Sequence, residues 1–351
     1  MRKPKAAIGW AVLCCIAAWG SWSCRRPVPR HITPAYYYWK ARLELDSATR
    51  AALGAQPGTR LYLRFFDVAW DAAAARPAPV APLVVAGTLP ADIDYVPVVF
   101  LANRMLTRCS PAAVAPLASH ILSKIRAMAP SVGGSYRAVQ LDCDWTAATR
   151  ALYFRLLDTL CSRLHAEGRS LSVTIRLHQV KYAATTGVPP ADRGMLMMYN
   201  MGNWKSPATR NSLYDPDVAA RYLSRLAGYP LPLDVALPIL RWSIVYRGGN
   251  FLTFLNLVTS DTLQKVSFLK RLEDPNRFVV EADSFAFGCG LRRGDLIRSE
   301  TCSFRELMKG REMLLEKLRN HNLTLALFHL DGPLLKHFTH AQMQEIFSSV
   351  Q

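Results

Sequence analysis

The acids best placed for chemistry in this chain lie in residues 138–146, AVQLDCDWT. Val139, Leu141, Cys143 and Trp145 alternate with Gln140, Asp142 and Asp144. A period of two predicts a β-strand with one apolar and one polar face. The polar face ends in two carboxylates, just before a helical pattern begins. A second stretch, residues 171–179, repeats the alternation: Val173, Ile175 and Leu177 on one side, Ser172, Thr174, Arg176 and His178 on the other. Polar groups facing a strand-lined interior need partners. Arg176 is therefore expected to pair with one carboxylate, leaving the other, with His178, nearer solvent. A carboxylate beside a guanidinium stays ionised, as a nucleophile or base requires. Asp144, at the strand end, is the central catalytic candidate, with Asp142 and Arg176 setting its charge state. The Asp142–Arg176 pair also reads as an internal ion-pair layer with a purely supporting role.

These strands need a frame that brings their ends together. Extended runs are expected at 35–40, 60–68, 95–101, 138–146, 171–179, 194–200, 233–242 and 324–330. Helical patterns fall at 47–53, 111–129, from Thr146 to 165, 217–226 and 341–348, and 72–82 reads as exposed loop. Eight strands alternating with helices predict an α/β fold, a single (β/α)8 TIM barrel, whose chemistry sits at the C-terminal strand ends. About eighty residues between the seventh and eighth strands exceed what one helix needs, so a long insertion is expected at about 247–300. Within and after it, 251–272 and 302–320 look helical, 277–287 looks like a strand and 288–294 like a tight turn.

Strand ends then supply the remaining candidates. Trp39, Asp67, Tyr199, Asn200, Trp242 and Asp331 join Arg176 and His178 near the rim, with Lys40, Trp70, Asn103, Arg104, Asn203, Trp204, Arg241, Tyr246 and His329 beside them. Flat aromatic faces with carboxylates and amides suit the C–H faces and hydroxyls of sugar rings. Glycoside hydrolysis needs two carboxyl groups, one held protonated. Asp144 supplies one; Asp331 is the expected second, with Asp67, Glu281 and Glu300 also available. The expected roles are catalysis for Asp144, Asp142 and Asp331, and substrate binding for Arg176, His178, Tyr199, Asn200, Trp39, Trp242 and Asp67. No GxGxxG, Walker or GxSxG motif is present, and no cofactor is expected. No CxxC pair or His/Cys cluster has metal spacing, and Asp142, Asp144, His178 and His329 carry no ligand signature, so no metal is expected.

The N-terminus reads as a secretory signal over residues 1–23: Arg2, Lys3 and Lys5, an apolar stretch from 6 to 20, then small residues before Cys24. Cys24 and the Pro/Arg-rich tether to residue 34 look like a lipid-anchored start, which predicts an exported lipoprotein at the cell envelope. Loss of residues 1–23 would lower the net charge from +17 to +14. The basic residues are scattered, so no nucleic-acid groove is expected. Five cysteines follow Cys24; Cys143 and Cys161 are expected to be buried thiols, and Cys289 and Cys302 a possible disulfide.

The segments VQLDCDWT, LSVTIRLHQVKY, GVPPADRGMLMMYNMGN and YPLPLDVALPILRW resemble a family of uncharacterised bacterial lipoproteins with a glycoside-hydrolase-like barrel. The resemblance runs from about Tyr36 to Asp331 and implies the fold more than an activity. LDCDWT is also similar, more weakly, to the DxDxE strand end of chitinase-like barrels. There the final Glu is the proton donor; here that position is Thr146. The expected function is hydrolysis or binding of carbohydrate at the cell envelope. The alternative is a non-catalytic glycan-binding or envelope-assembly lipoprotein, and a weaker one is a structural lipoprotein contacting protein partners.

Overall fold

The computed structural model describes residues 30–349 apart from Ala91. The expected signal segment, Cys24 and the part of the expected tether up to residue 29 lie outside the described residues. Eight strands form a closed parallel barrel: β1 (His31–Tyr38), β2 (Arg60–Asp71), β3 (Asp94–Leu101), β4 (Ala138–Asp142), β5 (Ser170–Arg176), β6 (Arg193–Met197), β7 (Leu233–Pro238) and β8 (Asn322–Phe328). Each pairs in parallel with the next, and β1 pairs with both β8 and β2, which closes the ring. The expected strands are all present. β1 begins at His31, inside the segment expected as tether, so the barrel starts earlier than residue 35.

Packing follows the alternation. Val139, Leu141, Cys143 and Trp145 are buried outside the ring, where the Trp145 indole stacks on Tyr153 at 5.4 Å. Tyr153, Leu156, Leu157, Leu160 and Leu164 form the buried stripe of α3, Arg150–Ala166; α1 is Ser47–Gly54 and α2 Val114–Val132. Each fully buried leucine contributes roughly 1.5–3 kcal/mol. Thr146 does not cap α3. It opens a turn in which it accepts from the backbone N–H of Thr149 and Arg150, and Thr149 is the cap residue. α4 (Phe304–Lys317) and α5 (His340–Phe347) each begin with a reciprocal capping box, Ser303/Glu306 and Thr339/Gln342.

Several local expectations are corrected. Residues 72–82 are not a loop: Arg76–Val80 pairs antiparallel with the outer half of β2. Pro77 and Pro79 fit because this is an edge strand. β7 stops at Pro238, and Arg241 and Trp242 belong to a new strand, Arg241–Arg247. β5 stops at Arg176, because the Gln179 side chain accepts the Arg176 N–H at 2.8 Å and starts the helical turn Leu177–Lys181. The helix expected over 217–226 is a short α-turn, Pro216–Ala220, followed by a 3-10 turn, Leu223–Gly228.

The insertion is largely a sheet. Residues 251–272 are not one helix: Asn250–Asn256 returns antiparallel on Arg241–Arg247 around Gly248-Gly249, both with positive φ (55° and 78°). A two-residue loop with both φ positive is the type I′ hairpin geometry that glycine permits. Leu296–Thr301, Arg277–Val280 and Leu269–Arg271 complete five antiparallel strands. The strand expected over 277–287 is divided, and the tight turn falls at Phe287-Gly288 between Ser284–Ala286 and Cys289–Leu291. Val245, Leu255, Phe278, Val280 and Ile297 give this unit a small core of its own. Cys289 and Cys302 are both free thiols, so the expected disulfide is absent. Cys161 is half-buried rather than sealed in the core.

Candidate active site

The barrel interior between β4 and β5 is built in rungs. The strands pair with a constant offset, Gln140 opposite Ser172. The same offset sets Asp142 beside Thr174 and Asp144 beside Arg176. In the lowest rung, Gln140 Nε2 donates to Ser172 Oγ at 3.1 Å and Tyr37 Oη donates to Gln140 Oε1 at 2.6 Å. In the middle rung, Thr174 Oγ1 donates to Asp142 Oδ1 at 2.6 Å. At the rim, Arg176 donates through Nε and a terminal nitrogen to the two oxygens of Asp144, at 2.6 and 3.0 Å. The Arg176 partner is therefore the outer carboxylate, and Asp142 is the inner, buried one. This corrects the reading of Asp142–Arg176 as the internal pair.

Electrostatics follow from depth. Asp142 is buried, and desolvation pushes its carboxyl up to about 6 despite the Thr174 bond and the nearby Arg176 charge. Burial disfavours the Arg176 charge, but the Asp144 bonds outweigh it and hold its pKa above the usual value. Burial lowers the His178 pKa and Arg176 lowers it further, against the pull of Asp144. Burial also raises the Tyr199 phenol well above its usual range. Tyr199 Oη points at Met197 Sδ (3.4 Å), and its ring stacks on Phe328 at 4.8 Å.

A cleft of about 710 Å³ opens over Asp144. Arg176, His178, Asn200 and Thr146 line it with Asp144, and Trp204, Phe254 and Trp242 form its aromatic wall. Asn200 adopts a left-handed φ of 55°, a conformation asparagine tolerates. Trp242 is fixed by its indole N–H, which donates to Glu300 Oε2 at 2.8 Å. Phe254 packs on both tryptophans, at 5.4 and 5.2 Å. Asp144 is the one carboxylate among the residues lining this cleft.

The other expected site residues lie apart from it. Trp39, Lys40, His329 and Asp331 line a neighbouring cavity of about 390 Å³, and Trp242 borders both. Asp331 is 3.1 Å from Lys40 Nζ, and burial lowers the His329 pKa beside it. Asp67 is held in a two-pronged bond by Arg64, at 2.9 and 2.6 Å. Tyr199 lines a small recess with Arg176, His178 and Asn200. Glu281 is exposed beside Lys270 on the insertion. Glu300 is sealed, pairing with Arg298 and accepting from Ser212. Two residues are not evident from the sequence pattern: Phe254, whose segment looks helical, and Gln179, the group that ends β5. The Gly248-Gly249 pair was the signal available for Phe254.

No family model matches the chain, and no curated protein matches it. Solved structures do. The Bacillus megaterium QM B1551 spore cortex-lytic enzyme SleL superposes with a TM-score of 0.57 at 14% identity, covering 92% of this chain and 75% of that one. The C-terminal domain of a putative chitinase from Desulfitobacterium hafniense DCB-2 gives 0.58 at 10%, covering 92% and 100%. A class V chitinase from Pseudomonas fluorescens Pf-5 gives 0.53 at 11%, covering 90% and 100%. The chain shares the TIM-barrel fold of these proteins.

Proposed function

We propose that this barrel binds carbohydrate in the cleft over Asp144 and does not cleave it by a two-carboxylate route. The observation that carries this reading is the lining of the cleft. Its one carboxylate already accepts from Arg176 at both oxygens, and Thr146 stands beside it where a second acid would serve. Asn200 and His178 offer amide and imidazole groups, and Trp204, Phe254 and Trp242 offer apolar faces, a mixture that suits sugar rings. The shared fold with proteins described as chitinases favours a glycan over other ligands.

One observation favours a second reading, a hydrolase. Asp142 lies one rung below Asp144, and burial raises its carboxyl to about 6, so it retains a proton nearer neutrality than an exposed aspartate does. A test of both uses the purified protein with oligosaccharides and envelope polysaccharides, following tryptophan fluorescence and reducing-sugar release together. Saturable fluorescence change without sugar release, weakened about tenfold or more by Asp144→Asn, supports the binding reading. Sugar release that Asp144→Asn abolishes replaces it with the hydrolase. Neither binding nor release on any glycan overturns both.

The same reading makes the protein an exported lipoprotein anchored through Cys24. The basic start, apolar stretch and small residues before Cys24 support it. The stretch from Cys24 to His31 spans no more than about 25 Å. Lipid at Cys24 would therefore keep the N-terminal end of the barrel near the bilayer and turn the cleft away from it. Detergent-phase partitioning that persists in Cys24→Ala would overturn the anchor.

A further inference from the structure

At the opposite end of the barrel from the cleft, three chemically different metal-binding side chains converge. Cys161 and His165 stand one turn apart near the C-terminal end of α3, on one helix face. Asp192 immediately precedes β6. His165 Nε2 lies 3.4 Å from Cys161 Sγ and 2.9 and 3.1 Å from the two Asp192 oxygens. Cys161 Sγ lies 3.9 Å from Asp192 Oδ2. A tetrahedral zinc with ordinary bond lengths separates such ligand atoms by about 3.3–3.6 Å. The three donors therefore stand within a few tenths of an ångström of a zinc coordination face.

We propose that Cys161, His165 and Asp192 bind a zinc ion. The ligand set is right for zinc: one thiolate, one imidazole and one carboxylate, whose charges neutralise a divalent ion. Asp192 is oriented in advance. Its Oδ2 accepts the Leu171 N–H at 2.7 Å, and its own N–H donates to the Leu171 carbonyl at 3.0 Å. Such backbone anchoring of a ligand carboxylate is what holds a metal ligand in place before the ion arrives. Cys161 releases its proton to solvent as the sulfur–zinc bond forms. His165 is more than half exposed, so one side of the site faces water, which completes the fourth position. A bound ion would tie the end of α3 to the start of β5 and β6, on the face away from the carbohydrate cleft. Zinc here is thus independent of the reading given to that cleft. Spacing along the chain hides the set, because Asp192 is 27 residues from His165.

The test needs no variant at first. The reduced full-length protein is alkylated with and without zinc, and each cysteine is followed by peptide mass. Zinc should slow modification of Cys161 by about tenfold or more while leaving half-buried Cys109 and Cys289 at their original rates. Cobalt added to the metal-free protein should give the intense visible bands of a tetrahedral site and a sulfur-to-cobalt transition in the near ultraviolet. Asp192→Asn, which keeps the shape of the side chain, should weaken zinc binding about 10–100-fold, and His165→Gln at least as much. Equal Cys161 alkylation with and without zinc overturns the proposal. So does zinc affinity unchanged in both variants, which would place the ion elsewhere.

Discussion

Two polar networks among the described residues, one in the barrel and one at the insertion, differ in how they meet water. Between β4 and β5 the rungs are graded: Gln140 and Asp142 are buried, and Asp144 on the outermost rung is about half exposed. Where the insertion meets the barrel, Arg298 and Glu300 are both fully sealed, and Glu300 takes hydrogen bonds from Ser212, Trp242 and Arg298 at once. The first network ends in groups that a ligand can reach. The second spends its acid on holding a cleft tryptophan and the Ser212 loop in place. A carboxylate's use is thus decided by which of its oxygens meet solvent, not by its nearness to the strand ends.

Glu300→Ala should break the comparison hardest. It strands a buried guanidinium and should destabilise the protein by about 3–5 kcal/mol, measured by urea unfolding. Because Glu300 also anchors Trp242, glycan-induced fluorescence change should fall with it. A stability loss within 1 kcal/mol would mean that the sealed network is not structural.

Asp142 should give the next effect, through pH. Its folded carboxyl is raised to about 6, against about 3.9 in an unfolded chain. The folded state therefore binds more protons between those values, and stability falls as pH rises from about 4 to above 6. The full difference is roughly 3 kcal/mol, at about 1.36 kcal/mol per unit. Asp142→Asn keeps an acceptor for Thr174 and should flatten this slope, leaving the variant more stable than the parent near pH 7.5. Unfolding titrations of the two proteins at pH 4.5 and 7.5 would show it; parallel slopes would refute the shift.

The rim should respond least in stability. Asp144 is about half exposed, so Asp144→Asn should cost less than about 1 kcal/mol while weakening glycan binding. A loss well above that figure would move Asp144 from the ligand side of the comparison to the structural side.

Much of this was legible in the chain. The alternation over 138–146 placed Asp142 and Asp144 on the lumenal face and Trp145 on the helix side, as found. The parallel, closed, eight-stranded frame followed from the alternation of extended and helical runs. The insertion was legible as surplus length but not as a sheet: the aromatic and leucine-rich run from Phe251 carries no clear period, and the Gly248-Gly249 turn decides it. The helical turn after Arg176 was hidden because Gln179, which ends β5, acts through its side chain on two backbone groups, accepting the Arg176 N–H and donating to the Trp145 carbonyl.

The strands, their two faces and the end of the barrel that carries Asp142 and Asp144 follow from local order along the chain. These depend on a period of two and on neighbours along the chain. Tertiary structure alone decided which carboxylate Arg176 would take. That choice rests on the register of β4 against β5, which, continued two residues past the end of β4 at Asp142, brings Asp144 and not Asp142 to the Arg176 guanidinium. It also decided that Asp331 would face Lys40 in a separate cavity and that Glu300 would be sealed. Depth and partner at those positions come from segments far apart in the chain, whose distances only folding fixes.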